Sequence, residues 1–320
     1  MIGTRDVKLA IKCVVTAALL WLAFRKVDLG AVSSVLSGLS LWWAAAALLL
    51  TSLIILSDAM LLAGVLRMFG RRVPFATALL YSLVGWFFSN LAPSTIGGDI
   101  FRGVQLSRVG VPVGAAARLI LSIRLLSFAT LVAVMVAGFP IALGLMQARR
   151  DELLLAAVLA AGAGGLIAVF LLAHWRLASR WLERWPLLRK LYTLSGDFRR
   201  LLVPGPQTVA AWMAALSQHL LRIGVLACLA AGLGLAIPVA TLFALTPAAL
   251  LIAMAPVSFG GWGARELTFV YLLGTAGVGA ESALSLSIAF GLLRVVVGAI
   301  GGVTWALMSD HHYRVDATSG

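Results

Sequence analysis

The chain has 320 residues, of which 62% are hydrophobic and only 12% are charged. Soluble domains carry about 25% charged residues, so this composition excludes an ordinary soluble protein and indicates an integral membrane protein. The net charge is +13, but the basic residues mostly flank apolar runs, which indicates orientation by the positive-inside rule and argues against nucleic-acid binding.

Six apolar runs are long enough, or nearly long enough, to cross the bilayer core as helices, which takes about 20 residues. They are residues 9–24, 41–66, 113–146, 152–174, 208–235 and 283–308. The first run is slightly short and follows basic residues, as a signal peptide does. It lacks a small-x-small cleavage site and is followed directly by two basic residues, so we expect an uncleaved first span.

Two shorter apolar runs, 75–91 and 239–255, each stop at a break that contains proline and glycine. The first break reads LAPSTIGGDIFR over residues 91–102, and the second reads MAPVSFGGWGAR over residues 254–265. The positions that match at identical spacing are Ala92 and Ala255, Pro93 and Pro256, Gly97 and Gly260, Gly98 and Gly261, and Arg102 and Arg265. Matching helix breaks in the two halves of a membrane chain are the sequence signal for a substrate site near the bilayer midplane.

The distribution of charge predicts an orientation. Residues 175–206 contain seven basic and two acidic residues with interleaved aromatic residues, which suits a segment at the cytoplasmic headgroup layer. With this segment and both termini in the cytoplasm, segments 75–108 and 239–276 have to leave the membrane on the side from which they enter it. We therefore predict an all-α integral membrane protein, a single polytopic domain over residues 1–320. Six full spans and two re-entrant helical hairpins make eight membrane segments in an inverted repeat. Hairpins that crossed fully would instead give eight or more spans.

The residue types in the two breaks suit an anion site. Proline stops a helix, and Gly-Gly permits a positive φ and close approach of a ligand to the backbone. A helix that restarts after Gly98 or Gly261 presents free N–H groups and a partial positive charge to the break. Arg102 and Arg265, one turn into these helices, would add bidentate donors for a phosphate group. A plain helix kink explains one such break as well as a site does, but the duplication favours a site.

Arginine residues outnumber acidic residues inside the apolar segments. Each arginine costs about 2.5–3.5 kcal/mol at the centre of a membrane helix, so a surplus calls for an anion or water. An anionic lipid headgroup would supply the anion. The arginines are Arg102, Arg118, Arg124, Arg222, Arg265 and Arg294, and the evident intramembrane acids are Asp99 and Glu266.

The polar neighbours of these arginines have their own expected roles. Asp99 is placed to cap free N–H groups or to pair with Arg102 at i,i+3, which would make the first break a latch more than a ligand site. Glu266 follows Arg265 directly but points about 100° away on a helix, so we expect it to pair elsewhere or to carry a proton. Asp58 is expected to pair with a nearby arginine. His219, beside Arg222, fits a hydrogen-bonded core histidine better than a proton relay.

The strings around the two breaks resemble a known family. SNLAPSTIGGDIFR and APVSFGGWGARE are similar to the two signatures of the lysyl-phosphatidylglycerol synthase transmembrane (flippase-like) family. The matching residues are Asn90, Pro93, Gly97, Gly98, Asp99 and Arg102 in the first string, and Pro256, Ser258, Gly260, Gly261, Gly263, Arg265 and Glu266 in the second. The resemblance covers nearly the whole chain. It implies a bacterial inner-membrane protein with re-entrant helices that moves lipids between leaflets.

Two departures from the family pattern bear on function. The soluble aminoacyl transferase domain of larger members is absent, so we expect no lipid aminoacylation. The acidic–arginine pair that members often carry after the first motif is Ile123-Arg124 here, so we expect Arg124 to lack a local partner.

The leading hypothesis is a lipid flippase or scramblase-like transporter, not an enzyme, that moves an anionic or aminoacylated phospholipid and needs no cofactor or metal. With no ATP-binding motif, transport would run downhill or couple to protons or to the membrane potential, with Glu266 and Asp99 as candidate proton carriers. The expected substrate-binding residues are Asn90, Pro93, Gly97, Gly98, Asp99, Arg102, Arg124, Arg222, Pro256, Ser258, Gly260, Gly261, Arg265, Glu266 and Arg294.

Three alternatives stay open. The substrate is a polyprenyl-phosphate or hopanoid-type lipid. Or the chain is an intramembrane transferase, for which Ser258, Glu266 and His219 are the weak candidates for nucleophile or base. Or it is a non-catalytic partner that recruits a lipid-synthesis enzyme through residues 175–206. The sequence specifies neither the lipid nor the oligomeric state.

Overall fold

The structure is a computed structural model and describes residues 33–34, 36–91, 96–174, 196–197, 200–203, 205–254 and 262–307. The predicted first span 9–24, most of segment 175–206, and the C-terminal tail lie outside the described residues. In the described part, nine α-helices follow one another: α1 Leu41–Met68, α2 Phe75–Leu91, α3 Gly97–Arg108, α4 Val113–Leu145, α5 Arg149–His174, α6 Pro206–Gly232, α7 Val239–Ala253, α8 Ala264–Thr275 and α9 Ala280–Leu307.

Five of these helices are long and apolar enough to cross a membrane: α1, α4, α5, α6 and α9. They coincide with the five predicted spans that lie in the described residues, with ends that differ by a few residues. The all-helical, multi-pass architecture is therefore confirmed. The remaining helices form two short pairs, α2 with α3 and α7 with α8, and the members of each pair pack against each other.

The antiparallel pair α1 and α6 makes the most extensive helix–helix contact in the described part of the chain. The backbone N–H of Ser40, before α1, donates to the carbonyl of Gly232 at the end of α6 over 2.8 Å. At mid-length, the hydroxyl of Ser217 lies 3.1 Å from that of Ser57. A Cβ at Gly64, near the end of α1, would lie 3.7 Å from Ala211 near the start of α6. Small residues thus let the two helices run close together along their whole length.

Helix α9 packs its small residues against α2. A Cβ at Gly301 would collide with the carbonyl oxygen of Leu83, and one at Gly302 would lie 2.6 Å from the ring of Phe87. Gly298 faces the side chain of Asn90 in the same way. These glycines serve packing inside the chain, as close backbone contacts between membrane helices require.

The start of α6, the start of α4 and the end of α1 share one end of the molecule, here called the basic end. Asp197 forms an ion pair with Arg118 of α4 at 2.9 Å. Arg200 lies over the ring of Phe69, just past α1, at 5.4 Å. The indole N–H of Trp212 in α6 donates to the carbonyl of Leu201 over 2.9 Å. Residues 196–203, where described, therefore tie three helices together at this end.

The opposite end joins α8 to α5. The hydroxyl of Tyr271 donates to the carboxylate of Asp151, in the first turn of α5, over 2.5 Å. Helix α5 otherwise presents a largely exposed apolar surface, which suits a span that faces lipid.

Candidate functional site

At the first break, Gly98 permits close packing between α2 and α3. Gly97 and Gly98 are the first two residues of α3. Neither is among the described glycines with positive φ, so this pair does not use the backbone conformation that glycine permits. A Cβ at Gly98 would collide with the carbonyl oxygen of Gly85 and the hydroxyl of Ser89 on α2. The absence of a side chain at Gly98 is therefore what lets α3 return alongside α2.

At the second break, the helix begins later than predicted. Helix α8 starts at Ala264. The preceding residue, Gly263, has a φ of 82°, a conformation that an α-helix cannot contain, so the helix cannot begin earlier. The backbone N–H of Gly263 donates to the carboxylate of Glu266 over 2.6 Å, so Glu266 satisfies one of the unpaired donors at this helix start. Pro93 of the first break lies outside the described residues, as do Pro256, Ser258, Gly260 and Gly261 of the second.

The two copies of the motif therefore differ in local structure although their sequences match. Arg102 is the sixth residue of α3, while Arg265 is the second residue of α8. The prediction that both lie one turn into their helices is wrong for Arg265. The cause is Gly263, which occupies a backbone conformation that a helix cannot include, whereas the equivalent position in the first copy is Ile100 inside α3.

A cavity of about 220 Å³ lies between the two breaks, near the middle of α1, α6 and α9. We call it the arginine cavity, because five of the six intramembrane arginines line it together with two aspartates. The polar and charged residues that line it are Thr51, Asp58, Ser89, Asp99, Arg102, Arg124, Ser127, Gln218, His219, Arg222, Arg265 and Arg294.

A chain of ion pairs occupies the side of the cavity next to the first break. Arg102 donates to the carboxylate of Asp58 on α1 and lies 3.8 Å from that of Asp99. Asp99 also accepts from Nε of Arg124 on α4. Arg124 has no acidic neighbour in the sequence, but Asp99, 25 positions earlier, supplies the acid that position 123 lacks. The predicted pairings of Asp58 with an arginine and of Asp99 with Arg102 are confirmed.

The second break carries its own ion pair. Nε of Arg265 lies 3.0 Å from the carboxylate of Glu266, and a second nitrogen of the same guanidinium also donates to it. The hydroxyl of Ser287 on α9 donates to this carboxylate over 3.2 Å. Arg265 also lies over the ring of Trp262 at 4.7 Å. The expectation that Glu266 pairs away from Arg265 is wrong, because both side chains bend toward α9.

Arg118 does not belong to the cavity. Its side chain is 44% exposed and pairs with Asp197 at the basic end. It lies in the second turn of α4, and its ion pair with Asp197 removes it from the arginines that lack a carboxylate partner.

Two arginines of the cavity have no carboxylate within 4 Å in the part of the chain that the structure describes. Arg222 donates to Nδ1 of His219 over 3.2 Å and to the amide oxygen of Gln218 over 3.3 Å. Nε2 of His219 lies 2.9 Å from the carbonyl oxygen of Ser127. Because Arg222 has no lone pair to offer, Nδ1 of His219 accepts and Nε2 carries the proton. Both ring nitrogens are thus engaged, as predicted for a core histidine.

The second of these arginines is Arg294 on α9. Its guanidinium lies 5.8 Å from the ring centroid of Trp86, within the range of a cation–π contact. Among the described residues it makes no hydrogen bond. Its backbone carbonyl accepts from the side-chain amide of Asn90 over 3.0 Å. Asn90, expected to bind substrate, therefore joins the end of α2 to α9 and does not line the cavity.

Sequence reasoning found the arginines but missed several of the residues that hold them. Trp86 and Trp262 lie against guanidinium groups, and the hydroxyl of Ser287 accepts from Nε of Arg265 over 3.3 Å. In the sequence, Trp86 and Ser287 lie inside apolar runs with no distinguishing spacing. Trp262 stands within the second signature, so its place next to Arg265 was the one available signal.

The match to known families decides the identity of the chain. The family model described as "Lysylphosphatidylglycerol synthase TM region" matches residues 9–302. The chain belongs to this family. The Lysylphosphatidylglycerol synthase TM region thus extends over both breaks and every residue of the arginine cavity. No match was found among curated proteins. Membership of this family confirms the resemblance read from the two signatures and gives the protein a membrane, lipid-related role.

Proposed function

We propose that the protein is a flippase or scramblase-like transporter that moves an anionic or aminoacylated phospholipid between the leaflets of a bacterial inner membrane. The observation that carries this proposal is the arginine cavity at mid-depth in the bundle. Its five guanidinium groups exceed the carboxylates of Asp58, Asp99 and Glu266 by two charges. Uncompensated charge inside a membrane protein is expensive and marks a path for substrate or ions.

The size of the cavity supports a headgroup as its occupant. A volume of about 220 Å³ is below the 300–1,000 Å³ of pockets that enclose drug-sized ligands. It suits a small polar headgroup whose acyl chains stay in the bilayer. The positive surplus favours lipids that carry a phosphate, which include polyprenyl-phosphate lipids, over neutral hopanoid-type lipids.

We also propose that both short helix pairs are re-entrant. The pair α2–α3 follows the end of α1 and precedes the start of α4, and these two points are linked at the basic end through residues 196–203. The pair α7–α8 follows α6 and precedes α9. Tyr271 on α8 contacts Asp151 at the start of α5, which supports a position for the end of this pair opposite the basic end. Each pair would then enter and leave on one side, in inverted orientations.

The basic end is proposed to face the cytoplasm, with both chain termini on that side. The arginines at or beside this end are Arg67, Arg71, Arg72, Arg108, Arg118 and Arg200. The opposite end carries Arg149 and Arg150 but also three acids, Asp151, Glu152 and Glu281. A surplus of arginine on one side is the pattern of cytoplasmic loops.

Reconstitution in liposomes tests the proposed function. The purified protein is expected to speed the exchange of fluorescent phosphatidylglycerol between leaflets above the rate in protein-free liposomes. A panel of phosphatidylglycerol, phosphatidylethanolamine, a polyprenyl phosphate and an uncharged glycolipid ranks the substrates. Unchanged exchange of every lipid in the panel would contradict the proposal.

Lipid analysis in cells separates transport from the enzyme alternative. Deletion of the gene is expected to leave the set of lipid species intact and to change their distribution between leaflets. Loss of a lipid species would indicate a transferase. Of the residues considered for that chemistry, Glu266 and His219 are engaged in the contacts described above, which leaves neither as a ready base.

A further inference from the structure

From the sequence, the duplicated arginines of the two breaks are the expected ligands of a phosphate group. In the structure, however, both are already paired with carboxylates. Arg102 and Arg265 are 8% and 2% exposed and are held by Asp58 and Glu266. An arginine that is already neutralised by a buried carboxylate has little attraction left for a second anion.

Arg222 and Arg294 differ from the paired arginines in both respects. Each is half-buried, lines the cavity, and has no ion-pair partner in the described ranges. Arg222, Arg265 and Arg294 all line this cavity, so their guanidinium groups face a common space. Asp58 attracts Arg222, but that carboxylate already accepts from Arg102.

A third donor faces the same space. Gln218 is 4% exposed and lines the cavity. Its amide oxygen accepts from Arg222, while its amide nitrogen is buried without a hydrogen-bond partner among the described residues. A buried, unused N–H₂ group costs free energy unless an acceptor arrives. The cavity thus contains two unneutralised guanidinium groups and one unused amide donor.

We propose that Arg222, Arg294 and Gln218 form the phosphate-binding site of the cavity, and that Arg102 and Arg265 hold the two breaks in place. This inference rests on the proposed transport of a phosphate-bearing lipid and names the residues that bind its headgroup. The ligand class is a tetrahedral phosphate mono- or diester.

Neighbouring side chains fix the guanidinium groups of Arg222 and Arg294 and leave N–H donors available. Gln218 and His219 fix the guanidinium of Arg222 through two of its N–H groups and leave the others available. Arg294 uses its face on Trp86, so its in-plane N–H donors stay free for an oxyanion. Donors that are held in position before the ligand arrives lose less entropy on binding.

Binding of dioctanoyl phosphatidylglycerol to the purified protein in a neutral detergent tests the site by calorimetry. Arg222→Gln and Arg294→Gln are each expected to raise the Kd about tenfold or more, because each removes a charged hydrogen-bond donor. Arg118→Gln, which removes a charge outside the cavity, is the matched control and is expected to change the Kd by less than about twofold. Wild-type affinity in both cavity variants would overturn the site.

Three comparison ligands identify what the site recognises. Dioctanoylglycerol, which lacks the phosphate, is expected to bind far more weakly than the phospholipid, and equal binding would overturn the site. Glycerol 3-phosphate and inorganic phosphate separate a lipid headgroup from a soluble phosphate. Weaker binding of both than of the phospholipid supports a lipid site. Equal binding of either one supports the phosphate site but assigns it to a soluble ligand.

Stability gives a second, independent measurement. Arg294 keeps a half-buried charge that has no ion-pair partner among the described residues, and burying such a charge is costly. Arg294→Gln is therefore expected to raise the unfolding temperature of the ligand-free protein. Arg265→Gln removes one partner of a buried pair and is expected to lower it. The reverse order would overturn the assignment.

Arg222→Lys and Arg294→Lys keep the charge and replace the glutamine variants in the binding experiment if those fail to fold. Each is expected to weaken binding several-fold, and wild-type affinity would overturn the site.

Transport separates the failure of this inference from the failure of the proposed function. If the wild-type protein binds the phospholipid through Arg222 and Arg294 but does not speed leaflet exchange, the phosphate site is supported and the transport function is contradicted. If both glutamine variants exchange lipid at the wild-type rate, the transport function is supported and the assignment of the phosphate site is contradicted.

Discussion

Asp58 and Asp99 each join two elements through arginine. Asp58 of α1 accepts from Arg102 of α3, and Asp99 of α3 accepts from Arg124 of α4. These pairs fix the first short helix pair between two spans. Breaking a buried ion pair by removing one partner costs about 3–5 kcal/mol, whereas replacing both partners by apolar residues is often neutral.

A double-mutant cycle tests the role of the Asp58–Arg102 pair. Asp58→Leu alone is expected to lower the free energy of unfolding by about 3–5 kcal/mol, because it leaves the charge of Arg102 with Asp99 alone at 3.8 Å. Arg102→Met alone is expected to lower it as well, because it leaves the buried carboxylate of Asp58 without its arginine. The double variant Asp58→Leu, Arg102→Met is expected to be more stable than either single variant. Thermal unfolding in detergent measures all three. Additive losses in the cycle would show that the two side chains do not stabilise the fold as a pair.

At the scale of helices, apolar runs predicted the spans well because length and hydrophobicity alone decide whether a helix crosses a bilayer. The pairing of charges was harder to predict. Asp99 meets Arg124 across 25 positions, and Asp58 meets Arg102 across 44, which depends on how α1, α3 and α4 pack. Helical spacing also mispredicted Glu266, because side chains at adjacent positions near a helix start bent toward a shared partner, Ser287.

The glycine contact between α9 and α2 gives a prediction at this scale. Gly301→Ala is expected to destabilise the protein by about 1–3 kcal/mol, because its Cβ would collide with the carbonyl of Leu83. Gly164→Ala on α5 is the matched control, since its Cβ would meet nothing within 4 Å. Alanine is the better helix former by about 1 kcal/mol, so the control should be neutral or slightly more stable. Equal unfolding temperatures for the two variants would contradict the packing described here.

At the scale of the whole molecule, the duplicated breaks predicted that two helix pairs would meet at a central site. The structure places their arginines around one cavity, but the two copies differ in detail because Gly263 delays the start of α8. The sequence repeat therefore pointed to the location of the site, and the division between paired and unpaired arginines emerged only from the packing.

Cysteine labelling tests the proposed topology. In a variant without Cys13 and Cys228, single cysteines at Arg72 and Val113 flank the first helix pair, and those at Ala236 and Gly279 flank the second. An impermeant thiol reagent is expected to label the first two sites from the cytoplasmic side only and the last two from the outer side only. Opposite sidedness within either pair would show that the helices cross the membrane fully.

Leaflet exchange of fluorescent phosphatidylglycerol in liposomes tests most directly whether the arginine cavity moves lipid. It compares the wild-type protein, the Arg222→Gln, Arg294→Gln double variant, the Arg118→Gln control and protein-free liposomes. We predict exchange by the wild type and the control, and a loss of about tenfold or more in the folded double variant. Exchange by the wild type no faster than in protein-free liposomes would contradict the account of this protein as a lipid transporter.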